Sequence, residues 1–336
     1  MLCKLSICIP TFNMDVYLSE LLRSIEREVA SGLQVVICDN KSVDSTRKIV
    51  DEFIGRNPSL DVVYVCNEEN IGPDRNFLKA IELATGEYCW LIGADDVVKS
   101  GAIDRVLNEL VYSEKDVYLA DRDEYDINMN FKTSRKWLNC KGDKDFEFNN
   151  DRDYFEYFQE CNSLGSLFSF ISSIIVRREA WDRAYYDNSF YDSFYSHVYK
   201  VFSMLSSPKS LGMKYLNGPI IDCRTGNDSF SHDGVFRRYE IDIDGYARLG
   251  NALFDSVPIR SAFWQVIVNY TPWYRLAKVR YASQSRGEWE ALVVKLRVMG
   301  FSSFLLLVVG WFGAFRPIMK LLIMSWHIAV FLGLRR

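Results

Sequence analysis

The densest chemical signal in the sequence is a pair of adjacent carboxylates, Asp95-Asp96, set after an apolar run and a Gly93-Ala94 step that lets backbone approach a ligand. Neighbouring carboxylates repel each other unless a cation or hydroxyl donors occupy the space between them. A hard divalent ion, Mg²⁺ or Mn²⁺, suits that space. One carboxylate and diphosphate oxygens would hold it, and it would neutralise the charge on a leaving group. The same dipeptide also suits a helix cap ahead of Gly101.

A second acidic segment, Asp39-Asn40-Lys41-Ser42-Val43-Asp44, divides by role. Asp39 is placed to accept from a pyrimidine edge or a ribose hydroxyl, whereas Asp44 precedes a helical pattern and reads as its cap. In Asn70-Ile71-Gly72-Pro73-Asp74-Arg75-Asn76 a Gly stands before a Pro at the first helical position, which makes a sharp helix entry. Arg75 and the free N–H groups there face phosphates, or the segment is an ordinary turn and cap. His197 is a base, a metal ligand or the filler of a helix interface, the last being the default for a lone histidine. His232 is placed to close over a diphosphate as a metal ligand, with Arg224 as its cationic partner.

These residues need a scaffold that brings them to one edge. Apolar runs at Leu5–Ile9, Gln34–Cys38, Val62–Cys66, Tyr88–Ile92 and Val117–Ala120 alternate with helical patterns at Asp15–Glu28, Asp44–Ile54, Pro73–Leu83 and Ala102–Tyr112. Repeated βαβ units and a mostly parallel α/β sheet follow, with ligands expected beyond the carboxyl ends of the strands. Pro10-Thr11-Phe12-Asn13, Asp39-Asn40, Asn67–Asn70 and Gly93–Asp96 all stand at such ends. Residues 121–150 read as a charged surface excursion, Phe168–Val176 as a further strand and Tyr191–Leu205 as a helix. Pro208–Gly234 reads as a mobile loop, and 238–297 as helical.

Charge is uneven: the chain carries −4 overall, but residues 271–336 hold ten Lys/Arg against two Glu. A nucleic-acid binder spreads its basic residues over the fold, so no nucleic-acid partner is expected, and a basic apolar tail suits an anionic membrane surface. Phe304–Phe315 and Leu321–Leu334 are each shorter than the ~20 residues a spanning helix needs, which favours helices lying in the headgroup plane over a membrane span. A buried helical hairpin or a dimer contact is the competing assignment. The eight cysteines form no C-x-x-C pair, which points to a reducing cytoplasm, and the N-terminus enters directly on a strand with no leader pattern.

Taken together, Ile7-Cys8-Ile9-Pro10-Thr11-Phe12-Asn13, Asp39-Asn40-x-Ser42-x-Asp44, Asn70-x-Gly72-x-x-x-Asn76 and Asp95-Asp96 resemble, in order and spacing, the family-2 glycosyltransferases of GT-A fold. A weaker likeness over residues 5–235 is to O-antigen transferases that add a 3,6-dideoxyhexose, abequosyltransferases among them. It is carried by Gly72–Leu78, Tyr88-Cys89-Trp90, Phe168–Ser173 and Asn227-Asp228-Ser229-Phe230. The resemblance implies that Thr11 and Phe12 contact the nucleoside, Asp39 the base and Asp95 the ribose or donor sugar, with Asp96 on the metal. Phe12 stands where many relatives have Tyr, which keeps stacking and loses a phenolic hydrogen bond. Inverting members carry an acidic residue at a helix start in the second half, a place that Asp192 occupies. It serves there as the base or only as a helix-dipole carboxylate, and a retaining reaction needs no base.

The expected organisation is a nucleotide-sugar half over 1–122, an acceptor half over 123–260 and a membrane-associating helical tail over 261–336. Implied partners are a nucleotide diphosphosugar, a CDP-sugar by the weaker likeness, and a polyprenyl-diphosphate-linked oligosaccharide, at the cytoplasmic face of a bacterial inner membrane. A nucleotidyltransferase is disfavoured because no Gly-rich basic loop follows strand one, and a dehydrogenase because no G-x-G-x-x-G does. A non-catalytic membrane scaffold is the other rival. Processive synthases carry Q-x-x-R-W and long spanning helices, and neither is present.

Overall fold

A strand covered by helices on both faces must be apolar along its whole length, and β1 (Leu5–Thr11) and β2 (Leu33–Asp39) are buried at every position. In this computed structural model, which describes residues 4–227 and 234–314, they alternate with α1 (Asp15–Glu26) and α2 (Thr46–Arg56). The edge strand β3 (Asp61–Cys66), α3 (Pro73–Glu82) and β4 (Tyr88–Leu91) complete the first βαβ series. Next come β5 (Val97–Val98), α4 (Ala102–Tyr112), β6 (Val117–Tyr125), β7 (Phe131–Arg135), β8 (Lys144–Phe146) and α5 (Asp151–Glu160). The remaining elements of this unit are β9 (Ile174–Arg177), α6 (Arg178–Arg183), α7 (Ser196–Leu205) and β10 (Met213–Arg224).

The sheet order is β3-β2-β1-β4-β9-β6-β10-β5. β1, β2, β3 and β4 run parallel, β10 runs parallel to β6, and β9 is antiparallel to both of its neighbours, β4 and β6. The insertion of β9 therefore leaves the carboxyl ends of all six parallel strands on one edge. It also places the start of β9 on that edge. Beneath lies a core of Leu5, Ile7, Leu21, Val35, Phe53, Trp90 and Ile103.

Four sequence expectations change. Met213–Arg224 is a twelve-residue strand rather than loop. Asn217-Gly218-Pro219 is absorbed by register shifts between Leu216, Pro219 and Ile221, while Asp121 accepts from the Gly218 N–H at 2.8 Å. The expected strand over 168–176 starts only at Ile174. Phe168 is left-handed (φ 60°) and Ile171–Ser173 is a 3₁₀ turn, because Ser172 and Ser173 bond sideways to Trp90, Gly93 and Trp137. The helix expected over 191–205 begins at Ser196. The charged segment 121–150 is no mere excursion either, since β6 extends to Tyr125 and pairs with β7.

The chain divides into two compact units at Asn227, rather than at residue 260. The C-terminal unit contains α8 (Gly234–Leu253), α9 (Val257–Asn269), α10 (Trp273–Ala282), α11 (Arg286–Val298) and α12 (Ser303–Ala314). They close over Tyr246, Phe263, Leu276, Trp289 and Leu292. Among the described residues no helix is long and apolar enough to cross a membrane. His232 and the apolar run 321–334 lie outside the described residues.

Candidate active site

The carboxyl edge gathers the polar residues that the strands deliver. At the end of β1, Thr11 is buried, its Oγ1 without a hydrogen-bond partner among the described residues, and Phe12 is 41% exposed. Pro10 is buried in β1, and Asn13, left-handed at φ 51°, is laced to the β2–α2 loop. Its N–H donates to Ser42 Oγ at 2.8 Å and its Oδ1 accepts from the Val43 N–H at 2.9 Å. Asp39 ends β2, buried, and accepts from Tyr64 Oη at 2.7 Å and from the Ser42 N–H at 2.9 Å. Asp44 stands one residue before Ser45, the N-cap of α2, and accepts from the Thr46 N–H and the Asp15 N–H, both at 2.9 Å, so it braces the helix entry without being its cap residue.

The asparagines expected at the nucleotide are wired to one another. Asn40 Nδ2 donates to Asn70 Oδ1 at 2.7 Å, and Asn40 Oδ1 accepts from Ile71 N–H at 2.9 Å and Asn67 Nδ2 at 3.0 Å. Asn76 Oδ1 accepts from Asn67 Nδ2 at 3.0 Å, while its Nδ2 donates to the Cys38 carbonyl at 3.0 Å. The network braces β2 against the entry to α3, where Gly72 takes φ 83° and Pro73 opens the helix. Arg75, exposed, stacks over the Tyr191 ring at 4.6 Å.

Asp95 and Asp96 follow β4. Asp96 is only 3% exposed; its Oδ2 accepts from Ser172 Oγ at 2.5 Å and its Oδ1 from the Arg224 N–H at 3.3 Å. Burial first, and then the charge of Asp95, push Asp96 up to about 7; burial also raises Asp95, despite a bond from Asn227 Nδ2. A Cβ on Gly93 would stand 3.0 Å from Asp95 Oδ1 and 3.3 Å from Asp96 Oδ2, so glycine keeps the space beside both carboxylates open. The pair is therefore no helix cap: its oxygens face each other's charge and the residues that close around them.

Arg224, at the end of β10, is spent on this assembly. Its guanidinium donates to the Asp95 carbonyl at 3.2 Å, to the Ile127 carbonyl at 2.6 Å and to Glu20, and it covers the Tyr17 ring. Composition gave no sign of Ser172, Glu20 or Asn227 as partners of the carboxylate pair. Ser172 and Asn227 stand in or beside turns, whereas Glu20 lies inside α1 with no local hint at all.

Asp192 is exposed and left-handed at φ 64°, with its Oδ1 3.2 Å from where a Cβ on Gly72 would stand. His197 is buried edge-on against Phe77, and burial lowers it to about 4, so the ring is neutral near pH 7. No group of three His, Cys, Asp or Glu side chains able to hold a metal occurs among the described residues, so His197 does not join Asp96 in one. It fills the interface between α3 and α7.

Residues 6–181 match the family described as Glycosyl transferase family 2, a span that contains Thr11, Asp39, Asp95 and Asp96. Over 274 residues the chain is 37% identical to abequosyltransferase RfbV of Salmonella typhimurium, covering 80% of this chain and 81% of the relative. The chain belongs to glycosyltransferase family 2. This glycosyltransferase is also 24% identical over 212 residues to the GalNAc(5)-diNAcBac-PP-undecaprenol beta-1,3-glucosyltransferase of Campylobacter jejuni, covering 59% of this chain and 65% of that one. Among solved structures, Staphylococcus aureus TarS 1-349 in complex with UDP superposes with TM-score 0.60 at 12% identity, covering 96% of the glycosyltransferase and 92% of TarS. The mannosyltransferase PcManGT of Pyrobaculum calidifontis, with GDP-Man and Mn²⁺, superposes with TM-score 0.51 at 15% identity, covering 95% and 86%. The fold is GT-A.

Proposed function

We propose that this glycosyltransferase moves a 3,6-dideoxyhexose such as abequose from a CDP donor to a hydroxyl of a polyprenyl-diphosphate-linked oligosaccharide in O-antigen synthesis. The observation that carries this reading is the 37% identity to an abequosyltransferase across 80% of the chain. Thr11 and Phe12 receive the nucleoside, with the buried hydroxyl of Thr11 seeking a partner and the half-exposed Phe12 offering a stacking face. Asp39, fixed by Tyr64, accepts from the base edge or the ribose.

Asp96, with Asp95 beside it, would hold Mg²⁺ or Mn²⁺. The donor set fits: two carboxylates raised by burial, space kept by Gly93, and no third protein ligand among the described residues, which leaves coordination for diphosphate oxygens. When bound, the ion would neutralise charge building on the departing diphosphate. Asp192 takes the proton from the acceptor hydroxyl in an inverting transfer.

The C-terminal unit seats the enzyme peripherally on the cytoplasmic face of the inner membrane, where a lipid-linked acceptor resides. Phe304, Leu307 and Trp311 are 77%, 65% and 60% exposed and share one face of α12 by their spacing. Val294, Arg297 and Val298 stand exposed on α11, and the last 66 residues carry ten Lys/Arg, a combination that suits anionic headgroups.

A thermal-shift screen of CDP, UDP and GDP with Mn²⁺, followed by transfer assays on the wild type and Asp96→Ala, tests the reading. CDP is expected to stabilise most and Asp96→Ala to lose turnover. A preference for UDP removes the dideoxyhexose assignment, and unchanged turnover in Asp96→Ala removes the metal assignment.

A further inference from the structure

Only six non-glycine residues among those described take positive φ, and two of them, Asp192 and Phe194, both at 64°, flank a single residue. Left-handed backbone is tolerated by aspartate but unfavourable for a bulky side chain such as Phe194, where it persists only if the surroundings impose it. Prominent among those surroundings is one buried carboxylate. Asp74, in the first turn of α3 and fully buried, accepts from the Phe194 N–H at 2.7 Å (Oδ2), and from the Ser196 N–H at 3.2 Å and Ser196 Oγ at 2.7 Å (both Oδ1). Two further contacts join the same elements: Arg75 covers Tyr191, and Gly72 leaves the space into which Asp192 Oδ1 projects. The entry and first turn of α3 therefore touch the segment 191–196 at three of the four positions 72–75, all but Pro73.

We infer that Asp74 is a positioning residue for Asp192, clasping the segment 191–196 so that the Asp192 carboxylate is presented beside Gly72. The inference rests on the proposed role of Asp192 as base. A carboxylate sealed from water is an expensive choice for a plain helix cap, because burial opposes its charge; an exposed Ser or Asn at position 195 would cap α7 as well. What Asp74 adds is a tie across 120 residues of sequence to the helix whose entry the asparagine network braces against β2. Asp192 is thereby held in register with the nucleotide end of the sheet.

Full-length wild type, Asp74→Asn, Ser196→Ala, Asp192→Asn and the double variant Asp74→Asn/Asp192→Asn are compared in single-turnover assays with CDP-abequose. Binding of CDP with Mn²⁺ is measured in parallel. Asp74→Asn turns an acceptor toward Phe194 into a donor, and about a 10²-fold loss of kcat is expected, with CDP affinity unchanged. Ser196→Ala, which removes one donor from an otherwise intact clasp, is expected to lose roughly three- to ten-fold, within one hydrogen bond's worth. In the Asp192→Asn background the Asp74 substitution is expected to add less than about twofold, since residues that act as a unit are not additive. Hydrogen exchange at 191–196 is expected to quicken in Asp74→Asn while residues 36–40 and 90–96 keep their protection, a readout that needs no substrate. An Asp74→Asn enzyme with wild-type kcat, or one losing the same factor with and without Asp192, overturns the clasp while leaving the base in place. Full turnover in Asp192→Asn removes the base and the clasp together.

Discussion

Removing the charge of Asp96 should stabilise the metal-free protein, by an amount that depends on pH. Burial and the neighbouring Asp95 raise this carboxylate from its ordinary 3.8 to about 7, so the folded protein holds the proton more tightly than the unfolded chain. Stability is therefore present below the unfolded value and is lost as pH rises from about 4 through 7. Taken in full, that displacement is roughly 4 kcal/mol at pH 8, and because Asp95 shares the titration about 2–4 kcal/mol is the working range. Asp96→Asn relieves this cost but exchanges one acceptor for a donor among Ser172 and the Arg224 N–H, a loss of about 1 kcal/mol. The net gain, about 1–3 kcal/mol, amounts to a rise in Tm of roughly 3–8 °C at pH 8 for a unit of this size, shrinking towards zero at pH 5. Differential scanning fluorimetry from pH 5 to 8.5, with and without Mn²⁺ and CDP, measures it. Ligand should stabilise the wild type and not the variant. A variant less stable than wild type by the same amount at both ends of the range, or one that Mn²⁺ and CDP stabilise equally, refutes the reasoning.

Gly72→Ala must hold alanine at φ 83° with its Cβ 3.2 Å from Asp192 Oδ1; a loss of about 1–2 kcal/mol by denaturant titration, owed to the backbone, and a fall in kcat are expected, and a loss of stability with kcat unchanged would make the Gly72–Asp192 approach incidental. Tyr64→Phe removes the 2.7 Å bond that fixes Asp39, so CDP affinity by calorimetry should weaken about five- to tenfold; an unchanged affinity would detach Asp39 from the nucleoside. Replacing Phe304, Leu307 and Trp311 together by serine should lower partition onto vesicles containing anionic lipid by more than about tenfold, with turnover of a detergent-solubilised acceptor retained. Equal partition by the two proteins would assign those side chains to another contact.

Much of the N-terminal βαβ series was legible because its rules are local. A strand covered on both faces is apolar throughout, so β1, β2 and β4 stand out as runs, and the residues just after them fall on the ligand edge once the strands are parallel. Asp39 and Asp96 needed no more than that. The amides of Asn40, Asn70 and Asn76 were harder to assign, since a ligand and a neighbouring amide satisfy the same donors, and the neighbour lies about thirty residues away for two of them.

By itself the sequence determined the parallel α/β framework, the edge formed by the carboxyl ends of the strands and the carboxylates that stand there, through hydrophobic periodicity and strand-end composition that act over a few residues. Only the tertiary structure decided that Asn217–Pro219 bends β10 without ending it, and that antiparallel β9 enters between β4 and β6. It alone set Ser172 on Asp96, Arg224 behind Asp95 and Asp192 beside Gly72. Each of those outcomes joins residues 76 to 129 positions apart or threads a strand into a sheet already formed. No pattern within one helix or strand encodes such a meeting, because its energy appears only when the packed elements exclude water from it.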